Sequence, residues 1–237
     1  MSSRIAITLL AAAAWGRPPG LRGSPWTRLP LALQPAAVFD RVAVIVGKHV
    51  IKTSDIDREL RVSAFLNRQP WDGSAIAMRR AADRLVDQEL VRQDLLNGHY
   101  AQPTEKDVAA FLDQLKRDRF GGNQSRFQSE LARFHLSEDQ LRHHLLWQLT
   151  VLRFIDQRFR PGVLVTDEDV ATYYQQHRAA LQKENLRNNS LETLSPVIRE
   201  TIAGERINQA FEEWLGETRR GMRIDFREHA FLGGVTQ

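Results

Sequence analysis

Histidine is the side chain best suited to acid–base chemistry or metal binding near neutral pH, and this chain of 237 residues contains seven. Only His143 and His144 are adjacent. Neighbouring residues on a helix point about 100° apart, so this pair is poorly placed to share a metal ion. Trp147 and Gln148 stand one turn further on, where another ligand would be needed. We therefore expect two partly exposed helical residues and no metal or catalytic site.

Motifs that identify a known reaction are absent from the sequence. The chain has no glycine-rich nucleotide-binding motif, no nucleophile elbow and no His-Glu-x-x-His zinc motif. It contains no cysteine, which excludes disulfides, thiolate metal ligands and cysteine nucleophiles. The acidic run Asp167-Glu168-Asp169 begins a predicted helix, where acids stabilise the positive end of the helix dipole. We interpret it as capping, and the sequence predicts no catalytic residue, cofactor or metal.

Aromatic residues on the predicted helices are candidates for a different task, which is binding apolar segments of another chain. They are Phe111, Phe127, Phe134 and Trp147. Aromatic side chains contribute large contact areas both in cores and in binding grooves. Two interpretations stay open, because these residues could line an exposed apolar surface or simply fill the core.

The charge distribution argues against nucleic acid as a partner. The net charge is +4, with 33 basic and 29 acidic residues. The only charged residues before Val38 are four arginines, so the remainder of the chain is formally neutral; they are Arg4, Arg17, Arg22 and Arg28. In that remainder the basic residues alternate with acids and form no stripe. We therefore predict no nucleic-acid function.

Residues 1–37 are predicted to be a signal peptide and a disordered leader. One arginine precedes the apolar run Ile5 to Ala14, which has the length of a signal-peptide core and is too short to span a bilayer. Cleavage could follow Ala14 or fall as late as Ala37. A merely disordered or misassigned N-terminus is the alternative. No other segment is apolar enough to cross a membrane, so we predict no stable membrane insertion.

The elements that would position a binding surface begin with a hairpin. Val42–Val46 is rich in β-branched residues, a Gly-Lys turn follows, and Val50-Ile51 returns. Ser54 is predicted to start a helix that ends before Pro70, and a second helix is predicted over residues 74–97.

Three further helices are predicted to begin with the same capping signal. Each starts with a hydroxyl residue followed three positions later by a side chain that can reach back, in the pairs Thr104 and Asp107, Ser137 and Gln140, and Thr166 and Asp169. A shorter helix is predicted from Asn123 to Phe134. The helix from Ser137 has a broad apolar face and is expected to end at Pro161.

The C-terminal part is predicted to close the fold. The helix from Thr166 is expected to fade near His177, and residues 178–194 are predicted to be a polar linker. Residues 195–229 are predicted to form a helix beginning at Ser195-Pro196 and a strand that pairs with the hairpin. The predicted fold class is mostly α (α+β): a multi-helix domain closed by a small antiparallel sheet.

The order of these segments resembles a known family. The hairpin at residues 40–51, the helix at residues 82–90 and the stretch at residues 165–170 with Tyr173-Tyr174 resemble the N-terminal chaperone domain of the SurA family. These are bacterial periplasmic proteins related to PpiC and trigger-factor type chaperones. The resemblance covers residues 38–177, and the segment from Pro196 to Phe226 is similar to the helix and strand that complete the same domain.

The resemblance implies a periplasmic, ATP-independent holdase whose helical cradle binds unfolded polypeptides, outer-membrane proteins in particular. In that family one or more parvulin prolyl-isomerase domains precede the closing helix. Here only about twenty residues separate Tyr174 from Pro196, so no family catalytic residue carries over and we expect no enzyme. Two alternatives stay open: a prolyl-isomerase family member or accessory subunit, and an envelope scaffold that binds one folded partner.

Overall fold

The structure is a computed structural model that describes residues 40–184 and 190–231, without the side chains of residues 179–184. The predicted leader at residues 1–37 lies outside the described residues. The predicted fold class is confirmed, because the described chain is mostly helical with one small antiparallel sheet. The elements are β1 (Val42–Val46), β2 (His49–Lys52), α1 (Thr53–Asn67), α2 (Ala75–Asn97), α3 (Glu105–Phe120), α4 (Gln124–Arg133), α5 (Glu138–Phe159), α6 (Asp167–Glu184), α7 (Leu191–Gly221) and β3 (Ile224–Phe226).

The sheet joins the predicted hairpin to the predicted closing strand. Its order is β2-β1-β3, and both pairs are antiparallel. Val44 of β1 lies opposite Ile51 on one side and Phe226 on the other. Gly47 forms the turn with a φ of 59°, a conformation that favours glycine, and its amide donates to the carbonyl of Arg223 at 2.9 Å.

The first core lies between the sheet, α1, α2 and α7. Val44 and Val46 of β1 point into it, as a period of two requires, and Ala43 is also buried in it where the register with β2 shifts. Its buried side chains come from both ends of the described chain and include Val44, Val46, Ile56, Val86, Leu90, Leu215 and Phe231. The sheet and the last long helix are therefore parts of one packed unit.

The second core lies between the C-terminal half of α1 and the helices α3, α4 and α5. Phe65 is at its centre, with ring centroids 6.3 Å from Phe120, 6.4 Å from Phe127 and 6.0 Å from Phe134. Aliphatic side chains of α3 and α5 complete it, including Leu112, Leu141 and Leu145.

All three predicted capping signals are confirmed. The backbone amide of Thr104 donates to Asp107 at 2.7 Å, and that of Ser137 donates to Gln140 at 2.9 Å. The amide of Thr166 donates to Asp169 in the same way at 2.9 Å, while the Asp169 amide donates to the Thr166 hydroxyl at 3.2 Å.

The acid at the third capping site is also held by a cation from α7. Arg206 pairs with the Asp169 carboxylate at 2.7 Å. The hydrogen bonds from Arg206 and then those from Thr166 hold the pKa of Asp169 well below its usual range. The carboxylate is thus fully engaged in fastening α6 to α7, in agreement with the capping interpretation.

The first helix begins one residue earlier than predicted, at Thr53. Ser54 does not cap it: its hydroxyl donates to the carboxylate of Asp40 at 2.6 Å, and its amide donates to the same group at 3.0 Å. Asp40 therefore supplies the acceptor that the first turn of α1 needs. Asp40 lies far from Ser54 in sequence, so local capping rules did not reveal it.

The predicted linker at residues 178–194 is helical at both ends. α6 continues past His177 to Glu184, and α7 already begins at Leu191. Gln182, Lys183 and Glu184, which suggested a linker, are residues with good helix propensity. Residues 185–189 lie outside the described part of the chain.

The start of α7 also differs from the prediction at Ser195. Ser190 is the cap, since its hydroxyl accepts from an amide three residues later at 3.3 Å, and Pro196 lies inside the helix. Leu194 explains the earlier start: it is buried in a third cluster with Val170 of α6. Packing of this leucine overrides the preference of proline for the first helical turn.

Candidate functional site

A groove runs between α1, α2 and α5 and consists of three adjoining cavities that all contact Trp147. The first, beside β2, measures about 500 Å³; the second, toward the C-terminal end of α1, about 590 Å³; and the third, toward the C-terminal end of α2, about 440 Å³. We call this surface the Trp147 groove. Its size suits side chains of a bound polypeptide or a small molecule.

Trp147 reaches the groove because of its position on α5. It follows the buried Leu145 by two residues, or about 200° around the helix, so it points away from the second core. The ring is half-buried and lies 4.7 Å from the guanidinium carbon of Arg92 on α2. This cation–π contact fixes the indole between two helices.

Exposed leucines flank the tryptophan on either side. Leu152 of α5 lines the second cavity and is 63% exposed, and Leu96 of α2 lines the third and is 81% exposed. Both therefore leave apolar area open to water next to a half-buried aromatic ring. A partner that covers this apolar area would stabilise the complex by roughly 25 cal/mol per Å².

Two buried carboxylates form the polar part of the groove. Glu59 is 8% exposed and accepts a hydrogen bond from Arg84 at 3.1 Å. Glu89 is 5% exposed and accepts from Arg92 at 2.8 Å and from Gln93 at 3.2 Å. Each acid thus has an arginine partner, as a buried charge requires. The groove is therefore charge-balanced in spite of its acids.

Neither glutamate was predicted as a site residue, although the sequence contains a signal for both. Glu59 follows the buried Ile56 by three residues, and Glu89 follows the buried Val86 by three residues. A position three residues along a helix lies on the same face, so an acid there interrupts an apolar stripe.

The two adjacent histidines both line the first cavity but differ in environment. His143 is exposed, and its Nδ1 lies 2.7 Å from the carbonyl oxygen of Asp139. His144 is 14% exposed at its side chain, and its Nδ1 lies 3.6 Å from the Glu59 carboxylate. Burial lowers the pKa of His144, while Glu59 opposes the shift. His144 is therefore neutral at pH 7.

The described residues contain neither a metal-binding cluster nor a helix that could span a membrane. In residues 40–184 and 190–231, no three His, Cys, Asp or Glu side chains are grouped so that they could hold a metal ion. Over the same residues, no helix combines the length and the apolar composition of a transmembrane span.

The structure does not bring the four predicted aromatic residues together. Trp147 lines the groove, whereas Phe111 is 46% exposed on α3 and contacts none of its cavities. Phe127 is 0% exposed and Phe134 is 9% exposed, and both pack in the second core. Of the two interpretations left open, burial in the core applies to Phe127, and Phe134, which follows α4, packs in the same core while one part of it faces a separate cavity.

Comparisons with known proteins do not identify a family. No protein-family model matches the chain, and no curated protein matches its sequence. The function proposed below therefore depends on the groove and on the residues of the chain itself.

Proposed function

We propose that this protein is an ATP-independent holdase that binds unfolded polypeptide segments in the Trp147 groove. The observation that carries the proposal is the exposed apolar area of Leu96 and Leu152 on the two sides of the half-buried Trp147. Apolar surface of this kind, exposed beside a cavity, often marks a site where a partner binds, because covering the surface removes it from water.

The size of the apolar area predicts weak and reversible binding. Covering one leucine contributes about 1.5–3 kcal/mol, and Trp147 adds to the two leucines of the groove. Ordering an unfolded segment costs a large part of this gain. The net gain for one segment is therefore smaller than this gross contribution, which suits a client that must later be released.

Because the charges of the groove are balanced, we expect it to bind client segments without selecting them by their charge. Glu59 is paired with Arg84, and Glu89 is paired with Arg92. Because both acids are already neutralised, apolar area is the main term for a client segment. We therefore expect client binding to change little between low and moderate salt.

The cellular setting of the proposal follows from the sequence. The apolar run in residues 1–37 has the form of an export signal, and the segment order resembles the SurA family. We therefore propose the periplasm as the location and unfolded outer-membrane proteins as the clients.

Light scattering tests the proposal. The protein without its leader, mixed at stoichiometric amounts with a denatured outer-membrane protein, should suppress aggregation when the mixture is diluted. Leu152→Asp places a charge in the groove and should abolish most of the suppression. Leu164→Asp is the matched control, because Leu164 is 75% exposed and lines none of the three cavities. No suppression by the unmodified protein, even in excess, would show that the holdase proposal is wrong.

A further inference from the structure

A separate cavity of about 420 Å³ lies where the C-terminal end of α1 meets α3 and α4. It shares no lining residue with the Trp147 groove. Its walls include Phe65, Phe120 and Phe134, and its charged side chains include Arg68 and Arg119. We call it the Arg68 pocket.

Flat apolar surfaces form one side of the Arg68 pocket. The rings of Phe65 and Phe120 are stacked, with an angle of 13° between their planes. Phe134 meets Phe65 edge-on, at 82°. Pro70 adds a further rigid apolar face. A flat apolar group of a ligand could pack against these surfaces with little loss of side-chain freedom in the protein.

The two arginines of the pocket are not neutralised within the described part of the chain. Neither Arg68 nor Arg119 forms an ion pair there, and Arg119 makes only a weak hydrogen bond, at 3.4 Å, to the carbonyl of Phe65. At the rim, Glu130 and Arg133 form a pair at 3.5 Å that cancels itself. The pocket therefore carries an excess of positive charge.

Keeping these arginines together is electrostatically unfavourable. Burial lowers the pKa of Arg119, and the nearby charge of Arg68 lowers it further. A guanidinium remains protonated at neutral pH all the same, so the repulsion persists. An anion bound between the two groups would remove it. Perturbed groups that line a cavity are a common mark of a binding site.

The backbone at Arg68 points in the same direction. Arg68 follows the last residue of α1 in the left-handed conformation, with a φ of 56° and a ψ of 36°. Glycine is the preferred residue at this position because it has no Cβ. An arginine here is less favourable for the fold than glycine would be. The residue that occupies this position instead brings a guanidinium to the pocket.

We propose that the Arg68 pocket binds a carboxylate carried on an aromatic or other flat apolar group. The planar guanidinium of arginine matches the two oxygens of a carboxylate, and the phenylalanine walls accept the apolar part. Two sources share this chemistry: the C-terminal residue of a polypeptide and a free aromatic acid. The polypeptide source rests on the proposed holdase function, whereas the free acid does not.

Calorimetric titration with matched ligands tests the proposal and separates the two sources. The ligands are N-acetyl-phenylalanine, its amide, a six-residue peptide ending in phenylalanine with a free or an amidated terminus, and inorganic phosphate. We expect the free carboxylates to bind at least about tenfold more tightly than their amides, and more weakly as salt rises. Tighter binding of the peptide than of N-acetyl-phenylalanine would favour a polypeptide terminus. Equal affinities would favour a free acid, because the residues before the terminal one would then contribute nothing.

Three variants link the binding to the pocket. Arg68→Gly and Arg119→Gln should each weaken carboxylate binding by about tenfold or more. Arg117→Gln removes the same charge from an exposed site on α3 outside the pocket and should bind as the unmodified protein does. Arg68→Gly should also keep or raise the melting temperature, which separates lost binding from lost folding.

Several outcomes would overturn the proposal. They are equal affinity for the amides, equal affinity for phosphate, or unchanged binding by the folded Arg68→Gly variant. The holdase proposal is tested independently, because Leu152→Asp should lose aggregation suppression and keep carboxylate binding. Conversely, a protein that suppresses aggregation but binds no carboxylate contradicts only the pocket proposal.

Discussion

Replacement of Phe127 by alanine tests most directly whether this side chain is a buried part of the second core. The side chain is 0% exposed, and its ring lies 6.4 Å from Phe65 and 5.4 Å from Phe120. Removing it leaves a cavity that the surrounding helices can fill only in part. Phenylalanine-to-alanine changes in such places cost about 3–5 kcal/mol.

The expected effect of Phe127→Ala is large for a single domain. Total stabilities are roughly 5–15 kcal/mol, so a loss of about 4 kcal/mol is a major fraction of the whole. With roughly 2–4 °C per kcal/mol for a domain of this size, the melting temperature should fall by about 10 °C. Urea unfolding followed by circular dichroism measures the same loss as a lower midpoint.

Phe111→Ala is the matched control, because this phenylalanine is 46% exposed on α3. We expect a change of less than about 1 kcal/mol for it. If Phe127→Ala were as mild as Phe111→Ala, the second core described above would be wrong. If it left stability intact but abolished aggregation suppression, Phe127 would be a binding residue after all.

Three further predictions concern single groups and activity. The pKa of Asp169 is lower in the folded state than in the unfolded state, so ionised Asp169 stabilises the fold at pH values above the unfolded-state pKa. This contribution is lost as the pH falls toward the folded-state pKa. Asp169→Asn should therefore lower the melting temperature more at pH 7 than at pH 3; equal losses at both would contradict the linkage. The pKa of His144 is also lower in the folded state. The contribution of neutral His144 to stability is therefore complete above about pH 6.5, the ordinary pKa of histidine, and declines as the pH falls below it. His144→Gln should reduce the loss of melting temperature between pH 7 and pH 5; an undiminished loss would show that His144 is not the group responsible. In an X-Pro peptide assay the protein should leave the uncatalysed relaxation of tens to hundreds of seconds unchanged; acceleration would favour the isomerase alternative.

Features determined by neighbouring residues were predictable from the sequence. The Gly47 turn, the starts of α3, α5 and α6, and the end of α2 at Asn97 each depend on local chemistry. The pairing of the closing strand with the hairpin was also predictable, because alternation at Ile224 and Phe226 requires a partner strand.

Features determined by distant residues were not predictable in the same way. The acceptor for α1 is Asp40, and the early start of α7 depends on Leu194 packing against Val170. The same limit applies to the aromatic residues: helical spacing shows that Phe127 lies on an apolar face, but not that α1 and α3 cover that face.

The candidate sites were the hardest features to predict from the sequence, because they depend on contacts between separate helices. Glu59 of α1 faces His144 of α5, and Arg68 of α1 lies near Arg119 of α3. Each pair forms only when separate helices come together. Periodicity along one helix can mark Glu59 and Glu89 as acids within apolar stripes, but it does not show which residue of another helix lies opposite. The Arg68 pocket, which needs residues of three segments, has no such signal along one helix.

The pairing of β1 with β3 has a consequence for the order in which the protein can fold. β1 is the central strand, yet one of its two neighbours is synthesised only after α7. The first core likewise waits for Leu215 and Phe231. The second core needs only α1 and α3 to α5, so it can assemble on an emerging chain while one edge of β1 is still open. In a newly made molecule the second core would then already be folded while β1 still lacks β3 as its second neighbour.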